Sequence, residues 1–251
     1  MEQSNGHTAF ETLEGKRIVI TGGTTGIGRA IALLLGSSGA HIFTFGRHQE
    51  QLDETLTAIR QAGGLVDGTV ADSASGDDIR RVFQEADEKL GGLDILINCA
   101  ALAAGSLSEM EDADWRYVLQ TNLGGYLAAT KEALSRLQPQ KRGHIVLVGS
   151  MSADVREEGS SVYVATKAAI QGFAESLRKE VNPDGIKVSL VEPGAVGSDM
   201  QNTAPDEERA KQKTGEMLKA EDIAVCVYYI LTQPLRCDVV AVQIRPHLQL
   251  I

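Results

Sequence analysis

Positive charge is what this sequence lacks most. Its 251 residues include 24 Lys or Arg against 34 Asp or Glu, a formal net charge of −10. Nucleic-acid binding needs a basic surface to meet phosphates, so that partner class is set aside. The same deficit disfavours an acidic carrier protein as substrate donor. Cysteine is scarce too: Cys99, Cys226 and Cys237 are odd in number and have no metal-ligand spacing. They suit a reducing compartment and are expected in the core as small apolar residues, with no metal implied. Residues 1–14 are polar, without an apolar signal segment, and no run is long enough to span a bilayer. A cytoplasmic protein with no membrane partner is the expectation. Repeats, low-complexity stretches and dividing linkers are also missing.

What is present is an ordinary globular composition, 43% hydrophobic and 23% charged, in a chain long enough for a sizeable core. Apolar, β-branched runs at 17–21, 40–45, 65–70, 93–97, 144–149, 186–191 and 239–244 read as strands. Helical patterns fall between them at 29–35, 49–62, 75–90, 109–137 (with a break near Asp112), 162–181 and 220–232. Glycine pairs or Pro-Gly punctuate most junctions. Such alternation implies right-handed crossovers and a parallel sheet. The fold class is therefore α/β: a single-domain, doubly wound Rossmann fold with a seven-stranded parallel sheet and helices on both faces. It spans 15–251, after a flexible tail over 1–14.

Three stretches carry chemistry. Strand 17–21 runs into Thr21-Gly22-Gly23-Thr24-Thr25-Gly26-Ile27-Gly28 and then a helix. Glycines there let the backbone approach a pyrophosphate, whose charge the helix N-terminus meets; the alternative is a tight turn with no ligand. Tyr163 and Lys167 stand four residues apart, on one face of a helix. A free phenol titrates near 10, and a neighbouring ammonium favours the phenolate, so Tyr163 could exchange protons with a substrate near neutrality. Ser150 ends the strand thirteen residues before Tyr163, which should bring its hydroxyl beside the phenol.

In order and spacing, Thr-Gly-x-x-x-Gly-x-Gly, then Ser150, then Tyr163-x-x-x-Lys167 resemble the short-chain dehydrogenase/reductase family. The similarity runs from about Gly15 to the C-terminus, with Asp72, Asn98-Cys99-Ala100-Ala101, Asn122 and Pro193-Gly194 at matching places. It implies an oxidoreductase acting on a small carbonyl compound or secondary alcohol, and a homotetramer. Tyr163 would be the proton donor, Lys167 would lower its pKa and hold the nicotinamide ribose, and Ser150 would orient the carbonyl. Asn122 would support a water-linked proton path to Lys167. The cofactor would contact Gly22, Thr24, Thr25, Gly26, Ile27 and Gly28, then Asp72 beside the adenine, Asn98 and Ala100. Pro193, Gly194, Val196 and Ser198 would lie at the nicotinamide end, with Ser198 where Thr is more frequent.

Members that prefer NAD carry an acidic residue at the end of the second strand. This chain has Gly46 there, followed by Arg47 and His48. With no carboxylate to repel a phosphate and a guanidinium to pair with it, NADP(H) is implied over NAD(H); the alternative is that Arg47 is a solvated loop residue. Cys99 and Ala101 depart from the family's Asn-Asn-Ala-Gly. A positive φ at Ala101 would cost about 1 kcal/mol. The charged stretch 199–218 resembles a variable, mobile substrate lid. The ending Ile244 to Gln249 resembles small members acting on hydroxy acids, amino-alcohols or related ketones. Trp115, Tyr117 and Tyr126 read as packing or subunit-interface residues, with substrate contact as the alternative. Two other functions stay open: a non-catalytic NADP(H) sensor, and an epimerase or dehydratase on the same scaffold.

Overall fold

The computed structural model of the chain describes residues 8–197 and 205–249. Seven strands form one parallel sheet in the order β3-β2-β1-β4-β5-β6-β7. They are β1 (Arg17–Thr21), β2 (His41–Gly46), β3 (Leu65–Val70), β4 (Ile95–Asn98), β5 (Gly143–Val148), β6 (Ile186–Pro193) and β7 (Ala241–Ile244). Between them run α1 (Gly26–Ser37), α2 (Gln49–Gln61), α3 (Gly76–Leu90), α4 (Asp112–Leu119), α5 (Gly125–Leu137), α6 (Ser152–Val155), α7 (Ser161–Val181), α8 (Pro205–Thr214) and α9 (Ala220–Leu231).

The strands are apolar on both faces because both faces are covered. In β1, Val19 joins one core with Phe83, Ala129 and Ile170 from α3, α5 and α7. Its neighbours Ile18 and Ile20 join the opposite core with Ile31, Leu56 and Ile223 from α1, α2 and α9. β4 and β5 divide their side chains in the same way, Leu96 and Leu147 to the first core, Ile97 and Val146 to the second. At the amino ends of the strands, the Arg17 guanidinium grips both Asp94 carboxylate oxygens at 2.8 and 2.9 Å, joining β1 to the approach to β4.

Three expectations are revised. Residues 8–14, part of the tail expected to be flexible, pack on the domain: Leu13 is buried and the Glu11 N–H donates to the Thr232 carbonyl. Residues 205–214 of the charged stretch form α8, the solvated helix face that a mixed-charge run reads as by default, with acidic residues in its first turn and basic ones in its last. Cys237 is exposed, in the connection to β7, whereas Cys99 and Cys226 are half-buried. The long helical region breaks a second time, at a π-turn over Gln120–Gly124.

Candidate active site

The strand order reverses between β1 and β4, and a cleft of about 220 Å³ opens there above the carboxyl ends of the strands. At its entry, β1 passes into Gly22, whose φ of +66° suits glycine and whose Cβ would come within 2.7 Å of Ala100 Cα. The turn ends at α1, where Thr25, Gly26, Ile27 and Gly28 line the cleft and present first-turn N–H groups without helical acceptors. The Thr21 hydroxyl accepts from the N–H groups of Cys99 and Ala100 at 2.9 and 3.1 Å, fixing the turn against the loop after β4.

Thr24, Arg47, His48 and Asp72 line one end of this cleft. A Cβ on Gly46 would fall inside the Thr24 hydroxyl, so the end of β2 has no room for a carboxylate side chain while Thr24 stays in place. Arg47 forms no ion pair among the described residues; its Nη1 donates to the Tyr117 hydroxyl at 3.0 Å. The cleft thus joins a helix N-terminus to a guanidinium without a carboxylate partner, two features that favour anionic oxygens.

Ser150, Tyr163, Lys167, Pro193, Gly194 and Val196 line the opposite end. Lys167 is 2% exposed, and its Nζ donates to the Val148 carbonyl at 3.0 Å. The buried Tyr126 hydroxyl donates to the same carbonyl at 2.9 Å, so Tyr126 is a packing residue. Lys167 Nζ stands 5.5 Å from the centre of the Tyr163 ring. The Ser150 hydroxyl shares this wall and accepts from the Ser152 N–H at 3.2 Å.

Asn122 and Asn98 act from behind the cleft. The π-turn directs Asn122 at the loop after β4: its Oδ1 accepts from the Leu102 N–H at 2.7 Å, and its Nδ2 donates to the Leu102 carbonyl at 2.9 Å. Nδ2 also reaches Thr166 Oγ1 at 3.3 Å, and Thr166 donates to the Tyr163 carbonyl, so one amide couples that loop to α7. Asn98 ties β4 to α5 through Thr130 Oγ1 at 3.1 Å. Ser198 lies outside the described residues.

Leu102, Thr121, Ala71 and Ser73 also line the cleft. Their only signal in the sequence is adjacency to Ala101, Asn122 and Asp72. Cys99 lines it as well, and burial pushes its thiol up to about 12, which keeps it neutral. Ala101 does not take a positive φ, so the cost that one would carry does not arise; Lys141 and Arg156 are the described non-glycine residues that do. Beneath Gly149, the buried Glu192 accepts from Gln243 at 3.4 Å with one oxygen and leaves the other unpartnered; burial raises its pKa.

Residues 16–209 match the short chain dehydrogenase family. An uncharacterized oxidoreductase of Staphylococcus aureus (strain MRSA252) is 32% identical over 235 residues, 93% of this chain and 98% of that protein. Among solved structures, a dehydrogenase/reductase from Sinorhizobium meliloti 1021 superposes with a TM-score of 0.84 at 32% identity, over 93% of this chain and 95% of that one. A short chain dehydrogenase from Burkholderia cenocepacia J2315, solved in complex with NADP, gives 0.82 at 30% identity, over 94% and 98%. Among the described residues, no helix is long and apolar enough to cross a membrane, and no cluster of three metal-ligating side chains occurs.

Proposed function

The chain belongs to the short-chain dehydrogenase family and is an oxidoreductase, and on that premise we propose that it uses NADP(H) to interconvert a small carbonyl compound and its secondary alcohol. One observation carries the reading. Tyr163 and Lys167 stand together at one end of a cleft whose other end pairs a glycine-rich helix N-terminus with an unneutralised Arg47. The nicotinamide would supply or accept the hydride, chemistry that is the cofactor's own.

The chain's residues do the rest. Tyr163 gives a proton to the substrate oxygen in reduction and takes it back in oxidation. Lys167, anchored on the Val148 carbonyl, holds its Nζ beside the phenol and the ribose. Ser150 orients the carbonyl with its hydroxyl. Asn122 holds the Leu102 loop and α7 in fixed relation, and so positions the proton route. Gly22 and residues 24–28 take the pyrophosphate, Arg47 and His48 a 2′-phosphate, Asp72 and Ala100 the adenosine side, and Pro193, Gly194 and Val196 the nicotinamide. The complex of the Burkholderia relative with NADP supports the cofactor choice. The homotetramer stays part of this reading; the exposed Val225, Tyr229 and Leu235 offer apolar contact surface, and light scattering would test it.

NADPH oxidation, followed at its absorbance band against ketones, aldehydes and keto acids, is the test. Turnover is expected with NADPH in preference to NADH, and Tyr163→Phe should lower it by about 100-fold or more. Tight NADPH binding without turnover across the panel would replace this reading with a non-catalytic sensor. Substrate conversion without net cofactor change would replace it with an epimerase or dehydratase.

A further inference from the structure

Tyr117 stands on α4, 70 residues from Arg47 and 45 from Asp72, yet its hydroxyl joins them. It donates to Asp72 Oδ2 at 2.6 Å and accepts from Arg47 Nη1 at 3.0 Å. The guanidinium carbon lies 5.9 Å from the ring centre, within cation–π range. A phenol has one proton to give, and here it goes to the carboxylate. Burial, then the Asp72 carboxylate, raise the Tyr117 pKa, so the hydroxyl remains a donor at neutral pH.

The bridge has two effects. Asp72 becomes fully engaged, because its Oδ1 already accepts from the Ala74 N–H at 2.9 Å. Arg47 is held by one of its donors while the rest of its fork stays free for a ligand. Arg47 and Asp72 carry opposite charges at one end of the cleft, and without a spacer they would attract each other. A guanidinium collapsed onto Asp72 would be withdrawn from a phosphate, and a carboxylate would take the phosphate's place.

We propose that Tyr117 is a positioning residue for 2′-phosphorylated adenosine: it separates Arg47 from Asp72 and holds the guanidinium ready for the phosphate. The proposal rests on the NADP(H) reading, which it deepens by adding a residue that makes no ion pair itself. Tyr117 is half-buried on the surface of α4, so Tyr117→Phe removes the hydroxyl and keeps the ring packing.

Binding of NADPH, NADH and adenosine 2′,5′-bisphosphate is measured by titration calorimetry on the full chain and three variants. Tyr117→Phe should weaken NADPH and the bisphosphate about tenfold, one charge-assisted contact, while NADH changes less than twofold. Adding Asp72→Asn to Tyr117→Phe should recover most of the NADPH loss, because no carboxylate is left to capture Arg47. Equal losses for NADPH and NADH, or no loss in Tyr117→Phe, would overturn the proposal while leaving NADP(H) preference intact. Arg47→Ala tests the underlying reading separately. If it leaves the NADPH-to-NADH ratio unchanged, the 2′-phosphate site itself is lost, and Tyr117's role with it.

Discussion

The two ends of the cleft are built differently. At the Tyr163 end, buried side chains are tied to backbone: Lys167 and Tyr126 to the Val148 carbonyl, Asn122 to both polar groups of Leu102. At the Arg47 end, the exposed Arg47 and the half-buried Tyr117 and Asp72 are tied chiefly to each other, Arg47 to Tyr117 and Tyr117 to Asp72, with Asp72 alone also holding backbone at the Ala74 N–H. A side chain anchored on backbone cannot change without disturbing the fold. A network of side chains can be rewired with little structural damage. Geometry for the chemistry is therefore locked at one end, and selection of the cofactor is adjustable at the other.

The largest effect that would sharpen this contrast is at Asn122. Asn122→Ala leaves the part-buried Leu102 N–H and carbonyl without their partners, each at up to about 1–3 kcal/mol. Chemical denaturation should show a loss of several kcal/mol, and turnover should fall with it. Arg47→Ala, by comparison, should shift denaturation by less than about 0.5 kcal/mol, as surface changes do. Equal destabilisation by the two would break the contrast.

Acid should next act through β5. His144 is the second residue of this strand, which ends beside Ser150; its pKa is lowered from 6.5 to about 4, chiefly by burial. Ser189 donates to the Val239 carbonyl, which leaves its oxygen to accept from His144 Nε2 at 2.9 Å. The unfolded chain binds this proton more readily, so stability present above pH 6.5 is lost as pH falls towards 4, by about 3 kcal/mol. His144→Gln keeps a donor to Ser189, and its unfolding free energy should fall correspondingly less over that window.

The smallest effects should have opposite signs at the two ends. Glu192, beneath the Tyr163 end, has its pKa raised by burial, so its contribution is complete below the unfolded value and lost as pH rises through the folded one. Asp78, beneath the Arg47 end, is lowered first by the Asp72 N–H, so its contribution is present above the unfolded value and lost as pH falls. Glu192→Gln should remove a loss of stability above about pH 5, and Asp78→Asn a loss below about pH 4. Melting curves across pH 3 to 8 would read both, and slopes of the same sign would contradict the assignment.

Much of this was legible in the sequence because local rules governed it. The β-branched runs, the glycine turn and the Tyr163–Lys167 spacing each follow from contacts within a few residues. The π-turn at 120–124 did not, because it exists to bring Asn122 against Leu102, twenty residues away. Tyr117 read as a packing or subunit-interface residue because its partners lie on two other loops. Residues 1–14 read as a polar tail, yet Leu13 finds a slot in the core formed by distant helices. Ala101 escaped strain because the loop after β4 takes its shape from the Asn122 and Thr21 hydrogen bonds rather than from a left-handed residue.

The reversal of strand order also bears on how the molecule assembles. β1, β2 and β3 pair in sequence through short crossovers, whereas the join between β1 and β4 links Arg17 to Asp94, 77 residues apart. Such distant pairing closes slowly, because the chain must first be gathered at an entropic cost. The cleft sits on that seam, with Gly22 on one bank and Ala100 on the other. A molecule seated there touches both parts of the chain at once and binds only when they are joined, so occupancy of the cleft stabilises the folded sheet.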